Sequence, residues 1–269
     1  MRALVRLLGV IPALSLVACE NDPGVELAPT APIAYVRYVH VVPDTSAMDW
    51  RPIDAVDNSP WAYGMTFRAN TPYQAMGAGA RRLRIFPTSD NINITSQIVM
   101  DTSITFTANT YYTVIHLGLA RPGGAPADRL WVLEDQVPAT IGANQIAVRV
   151  VNAGVNLGSV DVGTASSTTG TFASLVSGVA YGTASAYQLV ATGARALQAT
   201  APGASTVVAP ASALPVGSAA INGLTAIGGT DIGGTAITAL VVPRSVAGSL
   251  APQGFSTPGI LYLVDRVPR

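Results

Sequence analysis

"AYVRYVHVVPDTSAMDW", residues 34–50, lies without a gap against "IAVRVVNAGVNLGSVDV", residues 146–162, and this alignment decides how the chain is organised. Val36 meets Val148, Arg37 meets Arg149, Val39 meets Val151 and Asp49 meets Asp161. Further on, "YQAMGAGARRL" (73–83) matches "YQLVATGARAL" (187–197) at nearly the same offset, and "WAYG" (61–64) is echoed more loosely by "VAYG" (179–182). Collinear matches at one offset are the mark of a tandem duplication. The copies are expected over residues 34–138 and 139–269, joined at "DQVPATIGAN" (135–144), and each has the size of a β-sandwich domain.

Working outward from these blocks, short runs rich in Val, Ile, Thr and Tyr alternate with turn residues. The 26 glycines and 19 prolines supply the punctuation, as in "ARPGGAPAD" (120–128) and "AIGGTDIGGT". "AYVRYVHVV" is apolar on both faces apart from Arg37 and His40, which suits an inner strand, and "TYYTVIHLGL" (110–119) and "DRLWVLED" (128–135) read the same way. The expectation is an all-β chain of two tandem antiparallel immunoglobulin-like β-sandwich domains, each with about seven strands.

Fifteen basic and fifteen acidic residues cancel, so the total charge points neither to nucleic acid nor to an anionic surface as partner. Every basic residue is arginine. Only 11% of the chain is charged, so its surface must rely on Ser, Thr, Asn, Gly and Ala. The opening residues, "MRALVRLLGVIPALSLVAC", place Arg2 and Arg6 before an apolar core from Leu7 to Val17 and small residues before Cys19, the three-part build of an export signal. That core is shorter than the roughly 20 residues a membrane-spanning helix needs.

"LVAC" at Leu16–Cys19 resembles the lipobox of bacterial lipoproteins. The resemblance implies a signal peptide over residues 1–18, diacylglyceryl attachment to the Cys19 thiol, cleavage before it, and permanent attachment to a membrane through two or three acyl chains. Glu20, where an aspartate would favour inner-membrane retention, implies the outer membrane, facing the periplasm or the surface. Residues 19–33 then read as the lipidated cysteine and a flexible tether, whose polar stretch "ENDPGVELAPTAP" reaches roughly 40 Å when extended. The paired blocks resemble the bacterial family called domain of unknown function 4397, at residues 35–50, 63–64 and 73–83 and again at 147–162, 181–182 and 187–197. That likeness implies a fold type and a cell-envelope setting, and it brings no activity.

Arg37 and Asp49 are expected to pair across a turn, as are Arg149 and Asp161, fixing strand register. The alternative gives the aspartates a catalytic or metal-binding role. "GAR" at Gly79–Arg81 and Gly193–Arg195 predicts a positive-φ glycine turn. Arg68, Arg81, Arg82 and Arg84 form either a small anion-binding patch or a solvated face. His40 and His116, on different strands, lack partners at metal-ligand spacing and read as core or rim histidines. Trp50, Trp61, Tyr63 and Tyr73 are candidates for a sugar- or protein-binding face, with core packing as the alternative. No nucleophile elbow, phosphate-cradling loop or metal motif is present, so neither catalytic residues nor a cofactor are expected. The function expected is a lipid-anchored structural or binding module of the cell envelope without catalytic activity, alternatively a carbohydrate- or peptidoglycan-binding lipoprotein. Its partners would be the membrane through Cys19 and an envelope protein or glycan.

Overall fold

The computed structural model describes residues 31–54 and 61–267. The signal peptide expected over residues 1–18, the lipidation site expected at Cys19 and the expected tether up to residue 30 lie outside the described residues. From Pro32 onward the chain is one compact unit.

Repeat 1 contributes β1 (Ile33–His40), β2 (Met48–Pro52), β3 (Ala62–Met65), β4 (Gln74–Gly77), β5 (Gly79–Pro87), the one-turn α1 (Ile92–Thr95), β6 (Met100–Phe106), β7 (Tyr111–Leu117) and β8 (Arg129–Glu134). Repeat 2 contributes β9 (Gln145–Asn152), β10 (Val160–Ala165), β11 (Ala173–Val179), β12 (Thr183–Ala184), β13 (Gln188–Ala191), β14 (Ala196–Thr200), β15 (Val207–Ala213), β16 (Ala236–Val242) and β17 (Gly259–Arg266). Each repeat builds two sheets. The orders β4-β1-β7-β8 and β3-β2-β5-β6 in repeat 1 recur in repeat 2 as β12-β9-β16-β17, with β13 also on β9, and β11-β10-β14-β15. The duplication seen in the blocks therefore extends to the whole strand order, including β6 and β7, whose counterparts β15 and β16 share little sequence.

The sheets are not purely antiparallel as expected. β1 runs parallel to β7, from Tyr35 opposite Tyr111 to His40 opposite His116, and β9 runs parallel to β16. A parallel partner needs a long crossover. Here the whole second sheet of each repeat serves as that crossover, being built between the two strands. The glycine turns predicted at "GAR" are present, with Gly79 at φ 98° and Gly193 at φ 105°.

Side chains alternate along each strand. On β1, Val36 and Tyr38 join Trp50, Leu83 and Ile85 of the facing sheet in one core. Val148 and Val150 of β9 join Val160, Val162 and Leu197 in its counterpart. The opposite faces of β1 and β9 do not meet water. Val39, Val41, Ile115 and Leu117 pack with Val151, Ala153, Leu240 and Val242 in a third core shared by both repeats. Four sheets thus stack in layers, the β1 and β9 sheets innermost, which is why "AYVRYVHVV" is apolar on both sides.

Candidate functional site at the seam between the repeats

Alternation puts Arg37 on the same face of β1 as Val39 and Arg149 on the same face of β9 as Val151, so both guanidinium groups point into the seam and are buried there. Arg37 Nε donates to Thr113 Oγ1 on β7 (2.8 Å), and Arg149 Nε donates to Thr238 Oγ1 on β16 (2.7 Å). Those hydroxyls donate in turn to carboxylates, Thr113 to Asp135 (2.7 Å) and Thr238 to Asp265 (2.7 Å). Tyr73 donates to Asp135 (2.6 Å) and Tyr187 to Asp265 (2.8 Å). Each tyrosine ring also carries its own repeat's arginine, at 4.5 Å for Arg37 over Tyr73 and 4.9 Å for Arg149 over Tyr187.

The arginines cross over. Arg37 Nη2 donates to Asp265 of repeat 2, and Arg149 Nη2 donates to Asp135 of repeat 1. Arg37 Nη2 lies a further 3.9 Å from Asp135. Two positive and two negative groups, related by the internal duplication, make a neutral buried quartet in which every charge is opposed. Burial pushes the Asp265 carboxyl up, against the pull of Arg37 and Arg149. Burial alone would lower Arg37, yet the negative field led by Asp265 leaves it raised. Tyr73 and Tyr187 are raised, chiefly by burial, and stay protonated as donors.

Beside the quartet opens a cleft of about 820 Å³ whose lining includes Tyr111, Glu134, Gln136, Thr140, Gly234 and Arg266. Arg266 braces it by donating to Pro138 O (2.8 Å) and Gly234 O (3.4 Å). The quartet's carboxylates reach this cleft already engaged by three donors each. What the arrangement does chemically is lock the repeats in register.

Residues 34–163 match the family model described as "Domain of unknown function (DUF4397)". This segment belongs to that family. No curated protein matches the chain. The DUF4397 match runs from β1 across the joint into β10, so it takes in Arg37, Asp135, Arg149 and Asp161 together.

Within the DUF4397 segment, the expected pairs Arg37–Asp49 and Arg149–Asp161 do not form, because β-strand alternation sends each arginine to the seam and each aspartate elsewhere. Asp49 accepts from Arg51 Nη2 (3.0 Å), Thr88 Oγ1 (2.6 Å) and the Gly64 amide (3.0 Å). Asp161 accepts from the amides of Gly178 (2.7 Å) and Gly203 (2.8 Å), which together hold its carboxyl below the ordinary range. Strand pairing makes Gly178, and not the Gly182 that the "WAYG"/"VAYG" echo suggests, the counterpart of Gly64, so the repeated aspartate has a repeated task. It receives the amide freed where the register slips, between Met48 and Trp50 in one repeat and between Val160 and Val162 in the other.

The aromatic face expected from Trp50, Trp61, Tyr63 and Tyr73 does not assemble. Trp50 is only 2% exposed, stacked between Tyr38 at 5.0 Å and Trp61 at 5.2 Å in the first core, because its position on β2 faces the β1 sheet. Trp61 is half-buried, Tyr73 belongs to the quartet, and Tyr63 alone stands out at 65% exposure. The arginine patch is likewise neutralised. Arg82 and Arg84 both bond Asp101, Arg81 lies 3.7 Å from Asp54, and Arg68 crosses the seam to the carbonyls of Pro243 (2.7 Å) and Thr257 (2.6 Å).

The histidines are core residues, as one reading expected. Tyr38 OH and His116 Nδ1 are 3.1 Å apart, His116 Nε2 and Asp128 Oδ2 are 3.0 Å apart, and His40 Nε2 sits 3.0 Å from Thr45 Oγ1. Burial, then the neighbouring His116, holds His40 well below its ordinary value.

Sequence reasoning missed Thr113, Asp135, Thr238 and Asp265. One signal was available. "VLEDQVP" (132–138) and "YLVDRVP" (262–268) are a further repeated pair that places Asp135 opposite Asp265.

Proposed function

We propose that the chain is a non-catalytic module of the bacterial cell envelope, exported by residues 1–18 and held at a membrane, the outer membrane by preference, through acyl chains on Cys19. In this reading residues 34–138 and 139–269 are two immunoglobulin-like sandwich domains fused face to face into one rigid body. The observation that supports a structural or binding role is the seam quartet. The buried arginines that the sequence repeats are spent on joining the repeats, and the carboxylates that reach the seam cleft are already coordinated by Arg, Thr and Tyr donors. A rigid body on a tether suits presentation of a surface to an envelope protein or glycan. The aromatic sugar-binding alternative draws little support from Trp50 and Tyr73, whose rings are committed inside the protein.

The test is to express the full chain in a bacterial host with labelled palmitate and to fractionate the cells. Acylated protein in the membrane fraction, lost to the soluble fraction in Cys19→Ala, is the expected result. A wild-type chain without label overturns the anchor.

A further inference from the structure

Repeat 2 carries one element that repeat 1 lacks. Between β6 and β7 the chain needs only residues 107–110, but between β15 and β16 it runs through residues 214–235. This insert is a hairpin. Ser218 and Ile227 exchange amide bonds at 3.0 and 2.9 Å, Leu224 donates to Ile221 O at 2.9 Å, and Asn222 and Gly223, at φ 50° and 79°, form the tip. Val216, Ile221, Leu224 and Ile227 are between 52% and 68% exposed, and Asp231 is the only charged residue of the insert. Four large aliphatic side chains on one uncharged projection are an interaction surface rather than scattered exposure.

Its position says what it meets. The hairpin base is tied by Thr230 N to Pro215 O (2.9 Å), and the insert leads into β16 through Gly234, which lines the seam cleft. Asn109 lines the same cleft and donates its amide to Ile33 O (2.7 Å), beside Pro32, where the chain joins the compact unit. The joining point of residues 1–31 thus lies beside Asn109 of this cleft, and the hairpin base lies beside Val267 of its lining, where a Cβ on Gly228 would come within 3.1 Å, so both sit at one end of the stacked sheets. The ends of β1, β7, β9 and β16 lie at the other.

We infer that the hairpin at residues 215–231 is a membrane-surface wedge that dips into the lipid layer to which Cys19 is attached. The inference rests on the anchor proposed above. A tether of residues 20–31 spans at most roughly 40 Å, so the end carrying Pro32 stays near the lipid and the apolar tip is held there at high effective concentration. Because the hairpin carries no basic residue and its single charge, Asp231, sits at its base, attraction is apolar and independent of anionic lipid or salt, unlike a basic amphipathic surface. It fixes the orientation of the body, cleft toward the membrane and the 243–258 loop away from it.

The test separates wedge from anchor. Residues 32–269 contain all three cores and the quartet and lack Cys19, the only cysteine of the chain. This unit, with an N-terminal histidine tag, is bound to phosphatidylcholine vesicles doped with nickel-chelating lipid, which replaces the acyl anchor. An environment-sensitive dye is placed at Ala220→Cys, and in a second protein at the exposed Ala247→Cys on the opposite end. Expected is a blue shift on vesicle addition at 220 and none at 247, unchanged by salt or by added phosphatidylglycerol, and at least tenfold fewer inserted molecules in Ile221→Ser/Leu224→Ser. No shift at 220, or equal shifts at both sites, overturns the wedge. So does gel filtration showing a dimer that Ile221→Ser/Leu224→Ser dissolves, which would assign the hairpin to a second copy of the chain. An unlabelled Cys19 in the palmitate experiment would defeat the anchor and leave the vesicle result standing.

Discussion

Arg37 and Asp265 show how a buried charge behaves when it has a partner from the other repeat. Truncating Arg37→Ala strands a carboxylate that burial already pushes up, and should cost about 3–5 kcal/mol in urea unfolding. Arg37→Met with Asp265→Leu, which removes both charges and keeps volume, should recover most of that loss. His40 carries a pH signature. Its folded value lies below the ordinary 6.5, so the unfolded chain takes up a proton that the folded chain refuses. The stability contributed by neutral His40 is complete above about pH 6.5 and is lost as pH falls below it, at up to about 1.4 kcal/mol per pH unit. His40→Asn, which copies the buried Asn152 of repeat 2, should flatten that fall when unfolding midpoints are compared between about pH 7.5 and about pH 5.5. On the surface, hydrogen bonds from Arg82, then Arg84, lower Asp101 to about 2, and in Arg82→Ala its midpoint by NMR titration should climb back toward 3.8. At this scale the sequence was half legible. The repeated arginines and aspartates were visible as a repeat, but their partners were not, because a spacing along the chain says nothing about which sheet face closes against another repeat.

At the scale of elements, the repeat was legible wherever both copies need the same geometry. The first strands, the "GAR" turns and the glycine amides under Asp49 and Asp161 are fixed by backbone demands that few residues satisfy. β6 and β7 were not legible as repeats of β15 and β16, since a buried strand needs only apolar residues and many sequences supply them. Trp50 illustrates the other limit. A tryptophan on a short strand can face core or solvent, and a one-residue change of register decides which. The structure predicts that Trp50→Ala destabilises the fold by about 3–5 kcal/mol, seen as a lowered unfolding midpoint, instead of weakening a ligand. The insert in repeat 2 depends on a close approach at its base, where a Cβ on Gly229 would lie 2.2 Å from the Gly217 nitrogen. Gly229→Ala should therefore loosen the hairpin alone, read as faster amide exchange at Ser218 and Ile227 with an unchanged global unfolding midpoint.

Across the whole molecule, duplication has produced an internal pseudo-dimer. Two similar halves meet through like faces, each arginine reaching the other half's aspartate, as residues do across an isologous interface. Arg68 adds an asymmetric clasp, crossing to Pro243 and Thr257 and lying over Phe255 at 4.6 Å. Offsetting two arginines and two aspartates at the centre of an apolar seam adds specificity, since any sliding of one repeat on the other leaves charges buried and unopposed. The central claim is that Arg37 works across this seam and not across its own turn. A double-mutant cycle in urea unfolding, with alanine at Arg37 and Asp265 and a parallel cycle at Arg37 and Asp49, measures that directly. The account predicts a coupling above about 1 kcal/mol for Arg37 with Asp265 and additivity for Arg37 with Asp49. Additive effects in the first cycle and coupling in the second would contradict it.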